Sequence, residues 1–232
     1  MNIKNRMVNT LKQLGASQSG VAIIEFAYSM PVLMAMLCVG TELTNYATTV
    51  MRVNQIAIQV ADNGARIGAG SPLALKTITE TDINDLIIGA QLQSGNMNIL
   101  GTHTSIGAFG DTGRNGRIII SSLEPVAIPN TTNRYRINWQ RCGGQMRNSQ
   151  HPSSYGVQGA TNLIGMGPVG REVIATDASG TIFVEVAYFY QPLFFNKLSI
   201  TEKYKITAIA SMPVREARNT TPVPNGTAST CT

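Results

Sequence analysis

The chain has 232 residues and a formal net charge of +5, with 43% hydrophobic but only 13% charged residues. Soluble globular domains average about 25% charged residues, so this composition favours a surface that works outside the cytoplasm or is packed into an assembly. Lys4, Arg6 and Lys12 all precede residue 20, and removing them leaves 15 basic residues against 13 acidic ones. That balance is too even to indicate a nucleic-acid partner.

A basic segment comes before an apolar one at the N-terminus. Residues 1–20 are polar and basic, and residues 21–40, VAIIEFAYSMPVLMAMLCVG, are almost wholly apolar. About 20 apolar residues let a helix cross a bilayer, and the basic side is expected to stay in the cytoplasm. Small residues precede the apolar run here, whereas a secretory signal peptide has them after it. A cut at this point would leave the helix on the mature protein.

Glu25 is the one charged residue inside the apolar run. A carboxylate in a bilayer costs about 2.5–3.5 kcal/mol, so it needs a reason to be there. One explanation is a counter-charge supplied by another group, because a buried carboxylate is tolerable when it is paired. The simpler alternative is that Glu25 lies near the start of a helix, where a negative charge interacts favourably with the helix dipole.

The order of these residues resembles a known processing signal. Gly20, four apolar residues and then Glu25 and Phe26 resemble the type IV prepilin cleavage motif. The following stretch, IIEFAYSMPVLMAMLCVGTEL, resembles the opening of the TadE-like pseudopilins of the tight-adherence (Tad) pilus. Later features of that pattern are a proline, a glycine and a glutamate, Pro31, Gly40 and Glu42. Two distal segments, 184–194 and 206–215, resemble strands of the same family.

The resemblance implies a role for each of four residues. Gly20 would precede the scissile bond, Val21 would become a methylated N-terminus, and Glu25 would pair with the terminal amine of a neighbouring subunit, with Phe26 beside it. The implied protein is a minor pilin or pseudopilin that initiates, caps or regulates assembly of a Tad-type adhesion pilus. Its partners would be prepilin peptidase, other pilin subunits, the inner-membrane assembly platform and membrane lipid.

The implied location is the bacterial inner membrane, with a single span and a cytoplasmic N-terminus, and later the pilus at the cell surface. The alternative is an ordinary single-pass protein with an extracytoplasmic binding domain. Such an anchor would have no use for Gly20 or Glu25.

The pattern predicts one helix over residues 21–67, with a membrane half at 21–43 and an amphipathic half at 44–67. A domain over 68–218 and a tail at 219–232 follow, and the tail is expected to be disordered unless Cys231 is tied down. Within the domain, Thr79 or Thr81 is expected to cap a short helix at 81–93. Residues 94–117 are rich in glycine and are expected to form turns and a flexible loop.

Four apolar runs predict strands at 117–122, 134–140, 181–190 and 204–212. The third alternates two faces, with Ile182, Val184 and Val186 on one of them. Because no long helix separates the last two runs, antiparallel pairing is expected. The predicted fold class is α+β, a long N-terminal helix with a short helix and a small antiparallel sheet packed on its outer half.

The cysteines and histidines give little support for an enzyme. Cys142 and Cys231 could form one disulfide in an oxidising compartment, and Cys38 is expected to be a small apolar residue. No metal-ligand spacing is present, and His103 and His151 are expected to be surface residues. An Asp-Thr-Gly triplet at 111–113 lacks the second copy that aspartic proteases need, so it predicts a turn. We expect neither catalysis nor a cofactor.

Overall fold

The computed structural model describes residues 19–68, 75–104, 112–177, 179–194, 205–215 and 218–231. The chain forms two compact units. The first, which we call the N-terminal unit, comprises Met1–Tyr46 and Pro192–Asn196. The second, the sheet unit, comprises Ala47–Gln191 and Lys197–Thr232. The expected leader at residues 1–20 lies outside the described residues, except for its last two positions.

Helix α1 runs without interruption over Ser19–Arg66, which agrees with the helix predicted for residues 21–67. Its sequence is rich in alanine, the strongest helix former, and Pro31 lies inside it. Hydroxyl side chains bond back to the preceding turn, as when Thr41 Oγ1 donates to the Leu37 carbonyl at 2.8 Å. This back-bonding satisfies the hydroxyl groups within the helix itself.

The sheet unit contains a four-stranded antiparallel sheet, in which each of the four predicted strands is present, with ends shifted by a few residues. Their bounds are β4 Gly116–Pro125, β5 Tyr135–Gly143, β6 Thr181–Phe189 and β7 Lys205–Pro213. The order of the strands across the sheet is β5-β4-β6-β7. The predicted α+β class with a long helix and a small antiparallel sheet is therefore confirmed at that level.

One face of the sheet packs on the second half of α1. The apolar stripe of α1 supplies Val53, Ile56, Ala57, Val60 and Ala61, all of which are almost fully buried. The same core contains Ile182, Val184 and Val186 of β6, which the sequence placed together on one face of that strand. Burying a large aliphatic side chain contributes about 1.5–3 kcal/mol, so this stripe holds the sheet unit together.

Helix α2, Glu80–Ser94, also packs in this core and begins at a capping box. The Thr79 hydroxyl accepts a bond from the Asp82 amide, and the Asp82 carboxylate accepts one from the Thr79 amide at 2.9 Å. Thr79, one of the two predicted caps, is therefore the N-cap. A 3₁₀ turn, Gly95–Met97, follows α2.

Four short strands were not predicted. Strands β1, Lys76–Thr79, and β8, Arg218–Val223, pair in parallel, while β2, Thr102–Thr104, and β3, Thr112–Arg114, form an antiparallel pair. The flexible loop expected at 94–117 is thus partly regular, because its backbone groups pair across the β2–β3 ladder. The boundary expected between residues 218 and 219 falls inside β8, so the described tail residues belong to the sheet unit.

The other face of the sheet is covered by the long connection between β5 and β6. A second apolar cluster lies there, formed by Leu123, Tyr135, Ile137, Met166, Ala175 and Phe183. The Tyr155 ring meets the Phe183 ring edge-on, with centroids 5.4 Å apart. The Gly- and polar-rich segment at 141–180 is therefore a cover for the sheet as well as a connection between strands.

Candidate functional site: the exposed apolar half of the first helix

The first half of α1 exposes apolar side chains that a soluble helix would bury. The larger exposed residues are Val21, Ile23, Ile24, Phe26, Tyr28, Met30, Val32, Leu33, Met34, Met36, Leu37, Val39 and Leu43. The helix is long and apolar enough to cross a membrane by length and composition. Exposed apolar patches of this extent mark surfaces that meet lipid or another protein.

The residues of the predicted processing motif all lie on α1. Gly20 is its second residue, and among the described residues an added Cβ there would meet no atom within 4 Å outside its own turn of the helix. Val21 and Phe26 are exposed, with 57% and 61% of their surface accessible. Glu25 is also exposed and makes no hydrogen bond or ion pair with any residue that the structure describes. Packing among the described residues therefore does not account for the glycine or the glutamate.

Cys142 and Cys231 are joined by a disulfide across a separation of 89 residues, while Cys38 is a free, half-buried thiol. The bridge holds the C-terminal segment against the edge strand β5, where the Cys142 amide also donates to the Ser229 carbonyl at 2.8 Å. The sequence predicted a disordered tail unless Cys231 is tied down, and this disulfide ties Cys231 to β5.

A cluster of three buried polar residues lies on the covered face of the sheet, and the sequence did not predict it. Arg117, Glu185 and His151 are 3%, 2% and 5% exposed, respectively. Glu185 accepts bonds from the Ser153 hydroxyl at 2.5 Å and the Ser154 amide at 2.9 Å. The available signal was a lone acid in the middle of an otherwise apolar strand, TIFVEVAYF.

Burial is the largest cause of the pKa shifts of Glu185 and His151. It raises the pKa of Glu185, while the hydrogen bonds from Ser153 and Ser154 and the charge of Arg117 lower that pKa by less. It lowers the pKa of His151 to about 4, with smaller contributions in the same direction from Lys205 and Arg117. The expectation that His151 is a surface histidine is therefore wrong, because the connection between β5 and β6, to which His151 belongs, folds over the sheet.

The remaining catalytic leads lie on two short strands or outside the described residues. His103 belongs to β2, and Thr112 and Gly113 of the Asp-Thr-Gly triplet belong to β3 rather than to a turn, while Asp111 lies outside the described residues. Among the described residues, no group of three or more His, Cys, Asp or Glu side chains is placed to hold a metal ion.

Comparison with protein-family models, with curated proteins and with solved structures found no match. A role for this chain is therefore inferred from its residues and their geometry.

Proposed function

We propose that the protein is a minor pilin or pseudopilin, a structural subunit that initiates, caps or regulates assembly of a Tad-type adhesion pilus. In this proposal, prepilin peptidase cuts between Gly20 and Val21 and releases the cytoplasmic leader. The mature subunit stays in the bacterial inner membrane through α1 until the assembly platform transfers it to the pilus at the cell surface. The protein acts by packing against other subunits, without catalysis, cofactor or nucleic acid.

One observation carries the proposal: over residues 21–40, α1 exposes an apolar surface whose only charged residue is a glutamate, five residues after an exposed glycine. An apolar helix alone is equally compatible with an ordinary anchor. The glycine and the glutamate are what an anchor does not need. Among the described residues, none outside its own helical turn packs against the space that a Cβ at Gly20 would take, so packing there does not explain the glycine.

The position of Glu25 argues against the dipole explanation. No acidic residue lies in the first turn of α1, and the dipole interaction falls off within that turn. A carboxylate further along an apolar helix is stabilised by a positive charge from another molecule. The new amine at Val21 of a neighbouring subunit is such a charge, and it exists only after the leader has been removed.

The test is processing of the full chain in its native host, followed by mass spectrometry of the membrane fraction. Gly20→Leu is expected to block cleavage and leave residues 1–20 attached. Gly40→Leu is the matched control, because Gly40 is also an exposed glycine of α1 with no atom within 4 Å of an added Cβ. This control is expected to be cleaved like the wild type.

Two results would count against the proposal. If the wild type keeps its leader, the protein is an ordinary single-pass anchor with an extracytoplasmic binding domain. If Gly20→Leu and Gly40→Leu are cleaved equally well, the glycine is not a recognition residue for the peptidase.

A further inference from the structure

Glu42 holds a distant loop within the N-terminal unit. Its Oε2 atom accepts one hydrogen bond from the Leu193 amide at 3.0 Å and another from the Phe194 amide at 3.1 Å. These residues lie 151 and 152 positions along the chain from Glu42. Hydrogen bonds to an ionised carboxylate are about twice as strong as neutral ones, so two of them fix the loop backbone against α1.

The loop presents its apolar side chains outward. Leu193 and Phe194 are 59% and 55% exposed, even though their backbone donors are satisfied by the carboxylate. Turns exposed to water ordinarily carry Gly, Pro, Asn, Asp or Ser. A Leu-Phe pair whose amide groups are already paired is instead suited to an apolar surrounding, because it brings no unsatisfied backbone donor at these two positions.

The position of Glu42 along α1 indicates which apolar surrounding Leu193 and Phe194 meet. From Val21 to Glu42, α1 rises by about 32 Å at 1.5 Å per residue, close to the roughly 30 Å thickness of a bilayer core. Across the same stretch the helix exposes apolar side chains, while Cys38, Glu42 and Asn45, spaced four and three residues apart, are half-buried. If α1 crosses the membrane from Val21, Glu42 lies at the far interface.

We propose that Pro192–Phe194 is a second membrane contact, which inserts Leu193 and Phe194 into the bilayer interface on the translocated side and is held there by Glu42. The inference rests on the proposed function, since it requires α1 to span the membrane. It adds a lipid-contacting element formed by residues far from the anchor in sequence. Segments that lie in a bilayer interface bury Phe and Leu side chains at the boundary between headgroups and acyl chains.

The experiment uses the full chain reconstituted in phosphatidylcholine–phosphatidylglycerol vesicles that contain lipids brominated near the headgroup. Phe194→Trp places a reporter on the loop. Trp139, the one native tryptophan, is 2% exposed and gives the background. Leu43→Trp is the reference for α1, because Leu43 is an exposed neighbour of Glu42.

The expected result is strong quenching of both Leu43→Trp and Phe194→Trp, with little quenching of the wild type. Adding Glu42→Ala to Phe194→Trp should reduce loop quenching at least twofold, while the emission of Trp139 reports that the sheet unit stays folded.

Quenching of Leu43→Trp without quenching of Phe194→Trp would overturn the loop contact but leave the membrane-spanning role of α1 standing. In that case, a blue-shifted emission of the unquenched Phe194→Trp would show that protein, and not lipid, covers the loop. Absence of quenching at both positions would overturn the membrane anchor as well. Unchanged loop quenching in the Glu42→Ala background would overturn the role given to Glu42.

Discussion

Arg141 on β5 and Glu80 at the start of α2 form a buried, two-point ion pair. Arg141 Nε donates to Glu80 Oε2 at 2.8 Å, and Arg141 Nη2 donates to Glu80 Oε1. The two side chains are 10% and 7% exposed. The Nη1 atom of Arg141 also donates to the Gln140 carbonyl at 2.9 Å and to Gln158 Oε1 at 3.0 Å. The pair therefore joins the helix, the edge strand and the connection that covers the sheet.

Removing one member of this pair should destabilise the sheet unit. Arg141→Met leaves the Glu80 carboxylate buried without its partner, and breaking a buried pair in this way costs about 3–5 kcal/mol. The measurement is urea unfolding of the detergent-solubilised chain, followed by Trp139 fluorescence. Arg66→Ala is the control, because its ion pair with Asp62 is more than half exposed on the arginine side and contributes less than about 1 kcal/mol.

A double variant separates pairing from packing. Arg141→Met combined with Glu80→Leu removes both charges, so it should lose less stability than Arg141→Met alone. An equal or greater loss in the double variant would contradict the view that the unpaired charge is the main cost.

The disulfide should stabilise the fold and hold the C-terminal segment. A bridge that closes a loop of this length is expected to contribute about 2–5 kcal/mol. Cys231→Ser should lower the free energy of unfolding by that amount and make residues 224–232 sensitive to protease. Cys38→Ser, which removes the free thiol, should do neither. The protein must be compared in oxidising buffer, and equal protease resistance of Cys231→Ser and wild type would contradict the expectation.

Burial of His151 predicts an acid-sensitive fold. The unfolded imidazole has a pKa near 6.5, whereas in the fold the pKa of His151 is lowered to about 4. Between these values the unfolded state holds a proton that the folded state lacks, so stability falls as the pH drops through this window. The contribution is at most about 3 kcal/mol.

The measurement that tests this prediction is the free energy of unfolding of the wild type and of His151→Gln at pH 7, 6, 5 and 4, taken as a difference at each pH. Glu185, whose pKa burial raises, favours the fold at low pH in both proteins, so its effect drops out of the difference. We expect the wild type to lose stability relative to His151→Gln on acidification. A difference that does not vary with pH would show that the imidazole is not kept neutral by the fold.

Glu25→Gln should separate processing from assembly. The leader would still be removed, because Gly20 and Val21 are unchanged, but the subunit would lack the charge that pairs with a neighbour's amine. We expect at least a tenfold loss of the protein from sheared pili, with the membrane pool retained. Tyr28→Phe, which removes one polar atom from a side chain that is also exposed, should assemble normally. Normal assembly of Glu25→Gln would contradict the pairing role.

The regular elements could be predicted where the sequence has a clear period. The apolar stripe of α1 repeats every three to four residues, so its buried face was evident, and the alternation of β6 sorted its residues correctly onto the two faces of the sheet. Strand β8, RNTTPV, has no apolar alternation, and its register with β1 depends on partners about 140 residues away. A short strand of this kind forms because a distant strand pairs with it, and the local sequence pattern gives no information about that partner.

The buried polar groups escaped prediction for a related reason. Arg141 and Glu80 lie 61 residues apart, and each looks like a surface charge in its own segment. His151 lies in a polar stretch that would be a surface loop if it did not fold over the sheet. The processing motif is the opposite case: the sequence order of Gly20 and Glu25 is enough to predict it, and contacts among the residues that the structure describes add nothing to that prediction.

The most direct test of the proposed function is the intact mass, with N-terminal sequencing, of the protein recovered from membranes of its native host. Prepilin processing predicts a chain that begins at Val21 and carries an additional methyl group on its terminal amine. A chain that begins at Met1 would contradict processing and leave an ordinary anchored protein. A chain cut after residue 40 would contradict both the processing and the membrane-spanning role of α1.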